Sequence, residues 1–546
     1  MKGHAIVARV RGVVGRIRGG RQAAPAPRDR TVLVVAASGD LPRRWADRLA
    51  GDRVSVVRDA DALPAAVRRL PPLDLVVCLL DAEGPDPVAA VVRTYRAVRP
   101  RGRLVVEVAE DSADARARIG RLTTWSRRLE ARARRGGARA RDEARSLEVA
   151  EADEDRVALV KRGRHLLALR ESEVVETLPL REPGLTVSVV EEHPAGELVS
   201  SSVVFSHGEH EAEFPTRFAY PPLALRHYEG PIVSRGWTLA YAGNTALPDS
   251  FRFHLATQQR HPLLDPVGDD WHRVRGGRRP GPLAGSYYLL ESTFPHHYGH
   301  VMAEVVSRLW GWDAAKRADP ELKVMLHVRP KNPPADPLER RVFEAYGIAP
   351  EDIVVLDRPV VVDSLWSATP MWHQHRPFYV HPGMLDTYER LAHGFTDGDP
   401  DGAPAHERIF VSRGEGAVNR RCLNQPDVEA WFADRGFEIV YPERHTLAEQ
   451  VHLFRKAREV AGFGGSGMFN IVYARNLEKL VVLNHEAYIA RNEHMFCSLL
   501  GAEEHYLWST PEVVHPEGRF SVETFRADWR FDFARNEAHL RKVVGG

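Results

Sequence analysis

Cysteine is scarce in this chain. Cys78, Cys422 and Cys497 lie far apart among 546 residues, and no two form a CxxC pair. That excludes a disulfide framework or a thiolate zinc site and fits a reducing compartment. Long apolar runs are missing too: nothing approaches the roughly 20 uninterrupted apolar residues of a membrane span. The opening residues carry arginines through an apolar run too broken for a secretory signal, with no small-residue cleavage site after it, so a cytoplasmic location is expected. Net charge is only +1, which argues against a global nucleic-acid footprint and against nucleic acid as a partner. HExxH is absent, and His296, His297 and His300 have no carboxylate or cysteine cluster at ligand spacing, so no metal is expected.

What is present is enough apolar residue, 43% against 27% charged, to bury large cores. The length suggests about three or four domains. Charge is uneven along the chain. Residues 1–30 hold eight Lys/Arg against one Asp, and residues 116–145 hold eleven Arg against three acids, which leaves the remainder acidic. In residues 1–20, Ile6, Val7, Val10, Val13, Val14 and Ile17 fall at helical spacing between arginines. This reads either as a basic amphipathic helix in peripheral contact with the inner face of a plasma membrane, or as a frayed tail broken by glycines.

Residues 31–115 alternate short β-branched runs with helical segments, which predicts a parallel α/β domain. Its stretch LDLVVCLLD…YRAVRPRGRLVVEV resembles the later strands of class I methyltransferases. The first turn, VAASGD, offers only Gly39 where a cofactor needs close backbone approach, so a degenerate Rossmann-like domain without cofactor is expected. Residues 116–280 read as an Arg-rich linker followed by a β-containing connector. Two further α/β units follow at 281–400 and 405–546, separated by the DGDPDGAP hinge. The second of these units carries a C-terminal extension. A hinged pair of Rossmann-like lobes leaves a cleft at the strand C-termini, the usual ligand position.

Three constellations carry candidate chemistry. In HHYGHVMAEVVSRLW, a helix starting near Tyr298 places His300 and Glu304 on one face, where a carboxylate beside an imidazole can act as a general base. An ordinary helix start with a favourable acid explains the pair equally simply. In REVAGFGGSGMFNIVYA, a strand ending at Gly462 leads through a glycine-rich turn into a helix near Met468, aiming backbone N–H groups at an anion. Gly465, Ser466, Gly467 and Asn470 belong to this turn. In RIFVSRGEGAVNRRCLN, a strand delivers Arg413 to its end, and Arg420 and Arg421 follow on the loop, suited to a diphosphate. Glu443, in YPE at a strand end, is placed to accept from ribose hydroxyls.

Taken in order, GHVMAEVVSRLW and RIFVSRGEGAVNRRCLNQPDVEAWFADRGFEIVYPERHTLAEQVHLFRKAREVAGFGGSGMFNIVYA resemble glycosyltransferase family 61 over about residues 285–485. The resemblance implies a GT-B fold and an inverting, metal-independent transfer from a nucleotide-sugar donor, usually a UDP-sugar. It implies no cofactor beyond that co-substrate, and a glycan or lipid-linked acceptor, consistent with bacterial cell-surface polysaccharide synthesis. His300 and Glu304 fall on its H-xxx-[DE] positions, which makes Glu304 the candidate base. Arg413, Arg421 and Asn424 fall on SR and R-x-L-N, Glu443 and Gln450 on PE and EQ, and Gly465, Gly467 and Asn470 on the glycine loop. One departure stands out: many members carry a histidine in that loop where this chain has Gly464. Two rival readings are a non-catalytic nucleotide- or carbohydrate-binding scaffold and methyl transfer by residues 31–110.

Overall fold

The computed structural model describes residues 29–39, 41–81, 86–109, 112–208, 210, 212–268, 270–328, 335–397, 406–414, 416, 418–515 and 520–545. The basic segment 1–20 and the hinge near residue 400 lie outside the described residues. The chain is mixed α/β, organised by three large sheets.

The first sheet has six strands. Thr31–Val35, Arg53–Val57, Leu73–Leu80 and Val98–Val108 run parallel, and Arg156–Lys161 and Leu147–Ala152 continue it antiparallel. The apolar strands Leu73–Leu80 and Thr31–Val35 are buried along nearly their whole length, as expected where helices cover both faces. The domain therefore runs past residue 115. The Arg-rich stretch is built into it as the helices Ala113–Arg127, Leu129–Arg135 and Ala138–Ser146, broken at Gly136. Ile119, Leu122, Trp125 and Leu129 form a buried stripe against the sheet while the arginines other than the buried Arg118 lie off it, so amphipathic spacing, not linker composition, decides the outcome.

The central sheet has twelve strands and differs from the domain boundary drawn at residue 280. Ser286–Leu289, Lys323–His327, Ile353–Leu356 and Val360–Ala368 form its parallel part. Leu223–Ser234 pairs antiparallel with Val360–Ala368 and brings in Thr186–His193, Ala240–Ala242, Thr245–Ala246, His165–Ala168, Trp271–Val274 and Leu264–Gly268. The β-containing stretch thus supplies seven of the twelve strands of this sheet and is not a connector beside it.

The C-terminal sheet is wholly parallel, in the order Val203–His207, Glu503–Ser509, Lys479–His485, Glu459–Phe463, Arg408–Val411, Glu438–Val440. Its first strand comes from an arm at residues 194–222. The arm is fastened by Trp508 Nε1 donating to Ser206 Oγ (2.9 Å), Arg491 Nε donating to the Glu213 carbonyl (2.8 Å) and His494 Nε2 against the Pro215 carbonyl (2.7 Å). One apolar cluster joins Val301, Met302, Val305 and Trp366 of the central part to Val411, Met468, Phe469 and Phe496 of the C-terminal part, so the two parts share a core.

Candidate functional site

The helical segment beginning at Tyr298 is irregular. One turn, Tyr298–His300, passes into a π-helical stretch, Val301–Val305, and then a 3-10 stretch, Val306–Gly311. π-bulges of this kind are frequent at functional sites. His300 Nδ1 lies 2.7 Å from Glu304 Oε1, so the predicted pair is formed. Two residues that sequence reasoning missed complete it. Arg252 Nε forms an ion pair with the same oxygen at 2.5 Å, and Gln374 Nε2 donates to it at 3.0 Å.

Arg252 is held on a tightly anchored loop. On one side Asp249 accepts from Arg226 Nη2 (2.8 Å) and Tyr228 Oη (2.6 Å); on the other, His254 bridges Glu171 (2.9 Å) and Tyr379 Oη (3.0 Å). Burial pushes the Glu304 carboxyl up, but Arg252 and His300 outweigh it and hold it below the usual carboxylate range. A carboxylate oxygen held by two hydrogen bonds and an ion pair belongs to a weak base and a good orienting group. His300 keeps Nε2 away from this cluster, its ring stacked on Phe294 at 4.3 Å and edge-on to His297 at 4.8 Å.

The same helix start meets the glycine loop. A Cβ at Gly299 would stand 2.8 Å from Ser466 Cβ, and Tyr298 Oη donates to Asn470 Oδ1 at 2.5 Å. The strand Glu459–Phe463 ends in Gly464 and Gly465, and a 3-10 helix, Ser466–Tyr473, follows. Gly465 has φ +155°, ψ −175°, a region essentially closed to other residues. Its N–H donates to the buried Glu493 Oε1 at 2.7 Å and so is committed inside the protein. Gly464 is closely packed: a Cβ there would fall 2.1 Å from Nδ2 of the buried Asn484 side chain, which would have to shift.

Arg413 and Arg420 stand together beside this loop. Arg413 Nη1 donates to the Arg420 carbonyl at 3.1 Å, and the Arg420 guanidinium sits over Tyr488 (4.8 Å) and Phe525 (5.1 Å). The Arg420 Nη2 is 3.8 Å from where a Gly465 Cβ would be. Burial, and then the Arg420 charge, lower the Arg413 pKa. Among the described residues neither guanidinium forms an ion pair with a carboxylate, whereas Arg421 points away and pairs with Asp528 at 2.5 Å. Of the two adjacent arginines, then, Arg420 faces the loop and Arg421 secures the C-terminal segment. That segment holds the arginine loop in place, through Leu423 N–H to the Trp529 carbonyl (2.7 Å) and Trp529 N–H to the Arg421 carbonyl (3.0 Å).

The remaining candidates are engaged within the protein. Asn424 receives the Phe531 N–H (2.8 Å) and donates to the Phe531 carbonyl (3.0 Å). Gln450 Nε2 donates to the Pro442 (2.9 Å) and His445 (3.1 Å) carbonyls, and its Oε1 accepts from Asn470 Nδ2 (2.9 Å). Glu443 accepts the Gly414 N–H in a short hydrogen bond. These side chains brace the glycine loop, and Asn470 joins it to Tyr298 on the turn that bears His300. No group of three or more His, Cys, Asp or Glu among the described residues is arranged to hold a metal ion.

Residues 298–481 match the Glycosyltransferase 61 family model. The match begins at the turn that carries His300 and spans Arg413, Arg420 and the glycine loop. Arg252 and the end of the strand after Val481 lie outside it. No curated protein matches the chain. Among solved structures, the MycE methyltransferase of the mycinamycin biosynthetic pathway is 18% identical over 25% of this chain and 42% of its own, with a TM-score of 0.19. A Haemonchus contortus phosphoethanolamine N-methyltransferase 2 is 8% identical over 94% of this chain and 78% of its own, with a TM-score of 0.15. This chain thus spans less than half the length of MycE, and scores this low support neither a shared fold nor a shared reaction. No helix among the described residues is long and apolar enough to cross a membrane.

Proposed function

We propose that the chain is a glycosyltransferase of GT-B type that transfers a sugar, with inversion, from a nucleoside-diphosphate sugar to a hydroxyl of a glycan or lipid-linked acceptor. A UDP-sugar is the first donor to test, and bacterial cell-surface polysaccharide synthesis at the cytoplasmic face is the setting this reading suggests. The observation that carries it is the pair Arg413 and Arg420, without carboxylate partners among the described residues, beside a glycine loop that touches the turn bearing His300. Two guanidinium groups facing a tight backbone turn suit the diphosphate of a leaving nucleotide.

In this reading the acceptor oxygen attacks the anomeric carbon as the bond from that carbon to the diphosphate oxygen breaks. The departing electron pair stays on the diphosphate, against Arg413 and Arg420. The acceptor proton goes to His300 Nε2, while Glu304 orients the ring through Nδ1 and is itself held by Arg252 and Gln374. A base within hydrogen-bond reach contributes roughly 10²–10⁴-fold. His300→Ala is therefore expected to lose about that much turnover with donor affinity kept, and Glu304→Gln to lose less. The reverse ranking returns the base role to Glu304.

Thermal stabilisation against UDP-, GDP-, dTDP- and CMP-sugars tests the donor site. A ligand at about 100 times its Kd adds about 2.7 kcal/mol, which is readable as a rise in Tm. The rise is expected for one nucleotide class and is lost in Arg413→Ala. Absence of any rise in folded protein would favour the scaffold reading.

A further inference from the structure

The strand Lys479–His485 ends in two polar residues on which the proposed mechanism makes no demand. Asn484 is 2% exposed and His485 is fully buried. Asn484 Oδ1 accepts the His485 N–H at 3.0 Å, while its Nδ2, which crowds Gly464, has no hydrogen-bond partner among the described residues. Both ring nitrogens of His485 are without a partner as well. Buried imidazoles are nearly always hydrogen-bonded, because an unmade bond carries the full desolvation cost, so an orphan of this kind asks for an explanation. Its surroundings supply one. Burial, followed by the Arg420 and Arg413 charges, pushes the His485 pKa down to about 4, so the ring is neutral next to two unmatched cations.

We propose that His485 couples nucleoside-diphosphate binding to protonation: as the diphosphate settles against Arg413 and Arg420, the His485 ring takes one proton from solvent. The inference rests on the donor-site reading above. Two guanidinium charges repel a proton from the ring, and an anion carrying two or more negative charges in the same place cancels that repulsion and reverses it. The bound proton adds a third positive charge beside the diphosphate, which becomes more negative as the sugar leaves.

Among the described residues the ring lies 6.3 Å from that of Trp529, and the carboxylates next to these residues in sequence or beside the arginines are engaged elsewhere. Asp528 is paired with Arg421, Glu486 with Arg535 (2.6 Å), and Glu493 accepts from Gly465 N–H and Tyr488 Oη (3.1 Å). Burial, with His300 and Arg420 contributing, lowers His297 across the cleft, so His297 is the rival proton acceptor.

Titration calorimetry of the full chain with UDP-glucose, GDP-mannose and dTDP-glucose, in buffers of different ionisation enthalpy, measures protons taken up on binding. The phosphodiester groups of these probes do not titrate between about pH 5 and about pH 8, so any proton taken up goes to the protein. Net uptake rising toward one proton is expected as pH falls to about 6, with affinity weakening up to about tenfold per unit as pH rises above that. His485→Phe is expected to abolish uptake, flatten the pH dependence and weaken binding about tenfold. The Tm of the free protein stays unchanged or rises, since no hydrogen bond is lost. Binding by the wild-type chain without proton uptake overturns the coupling and leaves the donor site standing. Uptake that persists in His485→Phe and disappears in His297→Phe also overturns it. Failure of all three probes to bind removes the donor-site reading and this inference together.

Discussion

The first sheet and the C-terminal sheet are both built on parallel strands, and each has a glycine-bearing turn and arginines at its carboxyl edge. They treat those charges differently. At the first sheet, the side chain of Arg58 occupies the space over Gly39, with Nε 2.1 Å from where a Cβ would be. Arg118 reaches the Asp81 carbonyl and stands 3.3 Å from Asp114, and Arg44 pairs with Glu107 at 2.9 Å. The cavity that remains at this edge is lined by charges of both signs, Arg44, Arg48 and Arg156 beside Glu107, Glu151 and Asp155. At the C-terminal sheet, Arg413 and Arg420 meet no carboxylate at ion-pair distance among the described residues, and Asn484 and His485 keep buried polar atoms unpaired. Arg44 and Arg118 thus have carboxylates at ion-pair distance and Arg413 and Arg420 do not, and the edge without them is the one prepared for an anion.

The sharpest way to break this comparison is to remove arginines from both edges. Charge-assisted hydrogen bonds contribute about 1.5–3 kcal/mol each, or roughly tenfold to a hundredfold in affinity. Arg413→Ala with Arg420→Ala is therefore expected to weaken binding of the stabilising nucleotide sugar by about two orders of magnitude or more in calorimetry. Arg58→Ala with Arg118→Ala should leave it within about twofold, because those side chains serve their own domain. Comparable losses from the two double variants would mean that the edges are not distinguished by charge matching.

Much of the working edge was legible in the sequence, and what was not has physical causes. His300 and Glu304 are four apart at a helix start, so their contact follows from helical spacing even though the helix widens into a π-turn. Arg413 and the glycine loop are delivered by short strands whose ends are fixed by apolar patterning. The choice between Arg420 and Arg421 could not be read, because it depends on the left-handed backbone at Arg420, φ 53°, and on Asp528 more than a hundred residues downstream. Arg252 and Gln374 reach Glu304 from separate parts of the chain and sit in no local motif. Asn424 and Gln450, which the family resemblance assigns to the donor site, and Asn470 of the glycine turn also satisfy buried backbone or amide groups, a use that motif position does not reveal. The strands before residue 280 showed their alternation but not their partner, since pairing with Val360–Ala368 is a long-range event.

A smaller effect separates the two glycine turns. Gly39 has φ +75° and Gly465 φ +155°, so alanine is strained at both positions, by about 1–3 kcal/mol. Both Gly39→Ala and Gly465→Ala should lower Tm by a few degrees. Only Gly465→Ala is expected to reduce nucleotide-sugar affinity as well, because its strain falls on the loop facing Arg420. Loss of affinity in Gly39→Ala would reopen a ligand role for the first sheet.

The smallest effect is the most selective. Burial lowers His165, in the layer beside the first sheet, to about 4, and burial with the two arginines lowers His485 to about 4. An unfolded histidine binds its proton near about 6.5, so between these values the unfolded chain holds more protons than the folded one. Each residue therefore contributes stability that is present above about pH 6.5 and is lost as pH falls toward about 4. Tm of the free protein should fall over that window. A saturating nucleotide sugar is expected to offset the His485 part, because the complex accepts the proton that the free site refuses, while the His165 part remains. The nucleotide-induced rise in Tm should consequently grow as pH falls from about 7.5 to about 6, and should be independent of pH in His485→Phe. A rise that shrinks with acid in the wild-type chain would show that the anion does not relieve the charge at His485, and the two edges would then differ in matching without differing in response.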